Sequence, residues 1–267
     1  MPQPDGRSAS RCEMKARIRV SDKSASYASH SLVPVLLAFC ACFVDVVCII
    51  GLFHTFTAFI SGTLVVLCVE VFHQSENALL KVFVLAMFLA ATLFWYVVVT
   101  QLVRREKVAI RHLFALEACI VAAFMLVAGL GDPSGAGPLA PVTLVAVGLS
   151  TIAMSLQNVI MLTILNHHVP TTMMTGNSLK LVLGLADYFA HPESRTGSRM
   201  IVIYQMLVIS AFAVGGLLAS FLFSYLGFWI LGVPVAVLLL LAVLPAAFEG
   251  LDYEQAMRNN DTPAATG

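Results

Sequence analysis

Residues 169–189 read VPTTMMTGNSLKLVLGLADYF, and this stretch decides how the chain is organised. Long apolar runs surround it, yet it is crowded with groups that a lipid interior rejects. Pro170 fixes its own φ and pushes Val169 toward an extended conformation. Thr171, Thr172 and Thr175 bring hydroxyls, and Gly176 permits a backbone conformation or close approach that other residues resist. Asn177 is a favourable helix-start residue. From it, Asn177, Lys180, Gly184 and Asp187 recur at three- and four-residue steps, which is one face of a helix. The stretch reads as an extended segment that turns at Thr175-Gly176 into a short helix with a polar stripe. At membrane depth such backbone survives only where protein buries it or it lines a wet cavity.

The composition sets the surroundings. Of 267 residues, 59% are hydrophobic and 11% charged, which excludes disorder and does not fit an ordinary soluble domain. Several apolar runs reach the roughly 20 residues that a crossing helix requires. The expected fold is therefore an all-α polytopic membrane protein in contact with a lipid bilayer. A net charge of zero gives no reason to expect a nucleic-acid partner. Cys40, Cys42, Cys48, Cys68 and Cys119 lie in apolar runs without a CxxC pair, as buried small hydrophobes do. No Walker loop, HExxH, nucleophile elbow or dinucleotide fingerprint is present, so no enzyme activity, cofactor or metal is expected.

In order, residues 1–30 form a basic tail with Arg7, Arg11, Lys15, Arg17, Arg19 and Lys23. It is read as cytoplasmic and not as a cleaved signal. A membrane domain, 31–248, follows, and 249–267 is a polar tail. Within the domain, apolar runs fall at 32–53, 79–103, 113–130, 139–165, 200–226 and 228–248. A second polar interruption, 54–73, carries Thr55, Thr57, Ser61, Gly62, Thr63 and Glu70. Residues 131–138, GDPSGAGP, make a turn-rich midpoint without Lys or Arg.

The halves 32–130 and 139–248 share one pattern: a long span, a polar segment broken at glycine, then two spans. Thr57-Ala58-Phe59-Ile60-Ser61-Gly62-Thr63 aligns with Thr171-Thr172-Met173-Met174-Thr175-Gly176-Asn177, and Asp45 falls opposite Asn158 when the register moves by one. If both polar segments dip in and return, six spans remain. Both termini and every Lys and Arg except Lys81 and Lys180 then lie on the cytoplasmic side, as the positive-inside rule favours. Three crossings per half make the second repeat inverted relative to the first.

Phe43-Val44-Asp45, Ala153-Met154-Ser155-Leu156-Gln157-Asn158 and Val169-Pro170-Thr171-Thr172-Met173-Met174-Thr175-Gly176 resemble motifs of the YoaK-like family. That family comprises small bacterial integral membrane proteins that carry a domain of unknown function. The resemblance covers most of the domain and implies a bacterial inner-membrane location. The chain departs from the family pattern at Ser155, where a glycine is usual, and at Phe59-Ile60-Ser61-Gly62-Thr63, where His-Met-Thr-Gly-Asn is usual.

The candidate site residues are Asp45, Gln157, Asn158, Thr175, Gly176 and Asn177. An aspartate at a helix centre costs about 2.5–3.5 kcal/mol to insert, so Asp45 needs a partner or water. It reads as a proton or cation site near Gln157 and Asn158, or as a hydrogen-bonded peg. Gln157 and Asn158 read as solute contacts or as glue between helices. The turn 175–177 offers N–H groups to an anion, or is simply capped. Glu117 is placed near the end of its span and hydrated, and Glu70 at the interface. The function expected is a small-solute secondary transporter or permease, with anions among the candidate solutes. The alternative is a non-transporting scaffold, sensor or accessory subunit; the sequence leaves an oligomer open.

Overall fold

The computed structural model describes residues 32–73, 76–104, 110–165, 171–172, 174–190 and 195–243. The expectations for 1–30, for 166–170 and for 249–267 fall outside these residues. Within them the chain is helical, with no strand. Its helices are α1 Val33–Gly51, α2 Ile60–Phe72, α3 Asn77–Arg104, α4 Ile110–Gly131, α5 Pro141–Thr163, α6 Met174–Ala190, α7 Arg195–Leu226 and α8 Gly232–Val243. A single helical turn, Pro133–Ala136, sits between the halves, and a 3₁₀ segment, Gly227–Leu231, joins α7 to α8. The chain is thus an all-α polytopic membrane protein.

Why these residues form these elements follows from length and punctuation. α1, α3, α4 and α5 are apolar and long enough to cross a bilayer. Proline stands in the first turn of α1 and opens α5, where its missing N–H costs nothing. The apolar stretch Ser198–Val243 has 46 residues. As one helix it would measure about 69 Å, more than twice a hydrocarbon core of roughly 30 Å. Gly227, at φ +57°, breaks it where a left-handed residue is needed, and α8 packs back against α4 and α1.

The two short helices behave differently. α2 has 13 residues, about 20 Å, too few to cross. Its start is tied to Asp45, inside α1. Near its end, Glu70 pairs with Lys81 of α3 at 3.2 Å, and the same ammonium donates to the Phe53 carbonyl just beyond the end of α1. α2 therefore enters alongside α1 and returns to the end it left. α6 mirrors this from the other face. Met174 packs with Ala38 of α1 and Val208 of α7, while Gly184 lies against Val202 near the start of α7. So α6 begins at depth and runs back to the face from which α7 departs.

The packing repeats between halves. α1 lies against α7 and α5 against α3; α2 rides on α3 and α6 on α7; α4 packs on α8. α1 and α7 approach each other backbone to backbone. A Cβ on Gly215 would stand 2.5 Å from the Phe39 carbonyl oxygen, and one on Gly216 would stand 2.8 Å from Cys42 Sγ. The small-residue face of α7 is thus used inside the chain, as close packing of membrane helices requires.

Two expectations are corrected here. The helix at 169–189 begins at Met174, so Thr175 and Gly176 lie in its first turn, not in an extended bend, and Asn177 is not its cap. Gly176 is exposed, and a Cβ there would meet nothing within 4 Å. The polar side chains at 171 and 172 already fix the entry, so no glycine bend is needed. Glu117 stands two turns inside α4 and is fully buried, not hydrated, because α4 begins at Ile110. Glu70 pairs with the buried Lys81 beside the end of α1, because a lone ammonium cannot be buried without a partner.

These contacts order two glycine substitutions. Gly215→Ala overpacks a backbone contact and should destabilise by about 1–3 kcal/mol. Gly176→Ala, at an open helical position, should be neutral or should stabilise by up to about 1 kcal/mol. Thermal unfolding of the purified protein in detergent distinguishes them; equal melting temperatures would contradict the α1–α7 approach.

Candidate functional site

The site is built from two polar stations on α1, one near each end. At the first, the Asp45 carboxylate receives three backbone N–H groups. Thr57 and Ala58 donate to Oδ1, each at 2.7 Å, and Phe59 donates to Oδ2 at 2.8 Å. The Thr57 hydroxyl adds a longer contact at 3.3 Å. These amides immediately precede α2, whose first N–H groups have no partner inside their own helix. Asp45 therefore acts as a cap supplied by another helix, and its negative charge lies at the positive end of the α2 dipole. Asp45 is 4% exposed, and both of its carboxylate oxygens accept hydrogen bonds.

A hydroxyl cluster extends from this station. Thr57 Oγ1 and Ser150 Oγ of α5 are 2.8 Å apart, and Cys48 Sγ lies 3.3 Å from the same serine. The loop that makes the turn is held in an uncommon conformation: Phe53 and His54 have φ of 54° and 57°. Non-glycine residues enter that region at a cost, and the Lys81–Phe53 hydrogen bond keeps the first of them there.

The second station has the same plan with neutral groups. Gln157 Nε2 donates to the Leu37 carbonyl at 2.9 Å and reaches Thr171 Oγ1 at 3.5 Å. The Thr172 hydroxyl donates to Asn158 Oδ1 at 2.8 Å. Thr171 and Thr172 stand just before α6, as Thr57 and Ala58 stand just before α2. Asn177 is buried in the first turn of α6, where its Nδ2 donates to Met174 Sδ at 3.8 Å. Thr175 and Gly176 face outward beside it.

The structure thus brings Gln157, Asn158 and the start of α6 together. It does not bring Asp45 to them. Leu37 and Asp45 are eight residues apart on α1, about 12 Å along the axis. Asp45 has backbone partners in place of the amides that the sequence suggests.

Buried polar groups also lie outside the candidate set. Glu117 lies on the inner face of α4 with Phe114, Val121 and Phe124, and neither carboxyl oxygen has a hydrogen-bond partner among the described residues. Ser155 Oγ and Gln157 Oε1 of α5 are buried in the same condition. An acidic residue inside a continuous apolar run was the available signal for Glu117. No group of three or more His, Cys, Asp or Glu able to hold a metal ion occurs among the described residues.

The Asp45 contacts make a stability prediction. Asp45→Ala strands three buried N–H groups, each worth about 1–3 kcal/mol when left without an acceptor. Its melting temperature should fall well below wild type, with Asp45→Asn falling less because one acceptor oxygen remains. An Asp45→Ala protein that melts like wild type would refute the capping role.

No curated protein and no solved structure matches the chain. A family model described as "Protein of unknown function (DUF1275)" matches residues 33–244, which covers every described helix and both stations. By that match the chain is a member of this family of unknown function.

Proposed function

We propose that the chain is a small-solute secondary transporter or permease, built as two inverted repeats, and that its solute site is the second station. The single observation that carries this reading is the pair of short helices entering from opposite faces. Each is tied at depth to the crossing helix before it. Interrupted segments at corresponding places in two halves are a known feature of transporter binding regions. The paired packing of α1 with α7 and α5 with α3 supports the repeat.

The two stations also suggest the class of solute. In the first half, the start of α2 is occupied by an internal anion, the Asp45 carboxylate. In the second half, the corresponding place carries Gln157, Asn158, Thr171 and Thr172, and no Asp or Glu occurs among the described residues from 171 to 180. A helix start with neutral amides beside it suits a small anion. Asp45 fits a fixed structural anion better than a coupling site, since four donors already hold it. The motifs around Asp45, Gln157 and Thr175 support a YoaK-like, bacterial inner-membrane protein. Its termini and residues 104–111 would be cytoplasmic. The reading is transport, not catalysis, and it needs no cofactor.

A thermal-shift screen against inorganic anions and small carboxylates tests the binding, because a ligand that prefers the folded state stabilises it. At least one anion should raise the melting temperature, and Gln157→Ala should abolish the shift. Uptake of that anion into proteoliposomes should follow. If no anion shifts the protein and none crosses, the scaffold or accessory-subunit reading replaces this one. Orientation is checked with single cysteines in a cysteine-free background. A membrane-impermeant thiol reagent on intact cells should label a cysteine at Leu139 and not one at Arg111; the reverse pattern would overturn the topology.

A further inference from the structure

Glu117 has a setting that neither station explains. It is fully buried, and among the described residues no donor or cation meets either oxygen. The charged and titratable groups around it are few. α5, α8 and the 3₁₀ segment pack on α4, and their described residues include no Asp, Glu, Lys, Arg or His. From α1, the Cys40 thiol lies within electrostatic range. An unpaired carboxylate in such a place is strongly disfavoured; a carboxylic acid is tolerated far better.

Its depth ties it to the second station. Glu117 is seven residues from the start of α4, and Gln157 is six from the end of α5; both helix ends lie at the same face. The two groups are therefore sunk to similar depths, about 10 Å and 9 Å along their helices. Both converge on one turn of α1, since Gln157 bonds Leu37 and Cys40 is the thiol near Glu117. Gln157 Oε1 is a further buried oxygen at that depth with no hydrogen-bond partner among the described residues.

Resting on the transport reading, we propose that Glu117 takes up and releases a proton as the chain changes conformation, so that the coupling ion is a proton. Enclosed, the carboxyl holds its proton; opened to water, it exchanges it. A proton moving with a monovalent anion carries no net charge, which limits the electrostatic cost of passing between α1, α4 and α5.

The test is modification by dicyclohexylcarbodiimide of the full-length protein in proteoliposomes, read by mass spectrometry. The acid O–H adds across one C=N bond: the proton goes to nitrogen and the carboxyl oxygen to carbon. The acyl group then migrates to nitrogen, nothing leaves, and the peptide gains the mass of one reagent molecule. The adduct should form on Glu117 and be lost in Glu117→Gln. Its rate should fall as pH rises, about tenfold per pH unit once the proton begins to leave. Sodium should not protect. No adduct on Glu117, a rate that ignores pH, or protection by sodium would each overturn the proposal, the last in favour of a metal-cation site. The assay needs no solute. A failed anion screen beside an intact Glu117 titration would therefore count against transport and in favour of the proton site.

Discussion

Three backbone N–H groups on one carboxylate hold the first half of this molecule in shape. Residues 57–59 have left α1, have not yet joined α2, and lie below the end of the span. In hydrocarbon, each unpaired amide there would cost several kcal/mol. Asp45 removes that cost, and the amides remove the cost of burying Asp45. Neither is tolerable alone. Much of the rest of the half depends on this exchange: the return of α2, the pairing of Glu70 with Lys81 and the burial of that lysine. The strained pair Phe53 and His54 is a local concession to the same path.

The second half solves the same geometric problem with softer groups. Amides and hydroxyls replace the carboxylate, and single hydrogen bonds replace a fan of three. The first half thus meets its polar backbone with a formal charge, and the second half with neutral groups.

The spans were legible because length and apolar continuity determine them; the runs at 32–53 and 139–165 match α1 and α5 closely. The expectation of six crossings rests on where the basic residues fall; among the described residues five helical stretches are long and apolar enough to cross, the last broken at Gly227. The partners were not legible. Asp45 was visible as an anomaly, but its partners are main-chain groups, which carry no residue signature. For the same reason Asn158 looked like its neighbour, although α1 separates them by two turns. Gly176 misled because glycine in a polar stretch suggests a bend, whereas this one is helical and open. Glu117 was underestimated because a boundary three residues too late made a deep residue look shallow.

The Asp45 contact also bears on how the chain is made. Its partners lie 12 to 14 residues downstream, whereas Gln157 reaches Leu37 across 120. Closing a short loop costs little entropy and takes little time. A nascent chain stopped after α3 already contains every group that satisfies Asp45, together with the Glu70–Lys81 pair. α1 can therefore leave the insertion machinery with its most hydrophilic residue already enclosed, long before the helix that will cover its other side, α7, has been synthesised. The order of synthesis and the order of need coincide in the first half. In the second half, α6 waits for α7, which follows it directly.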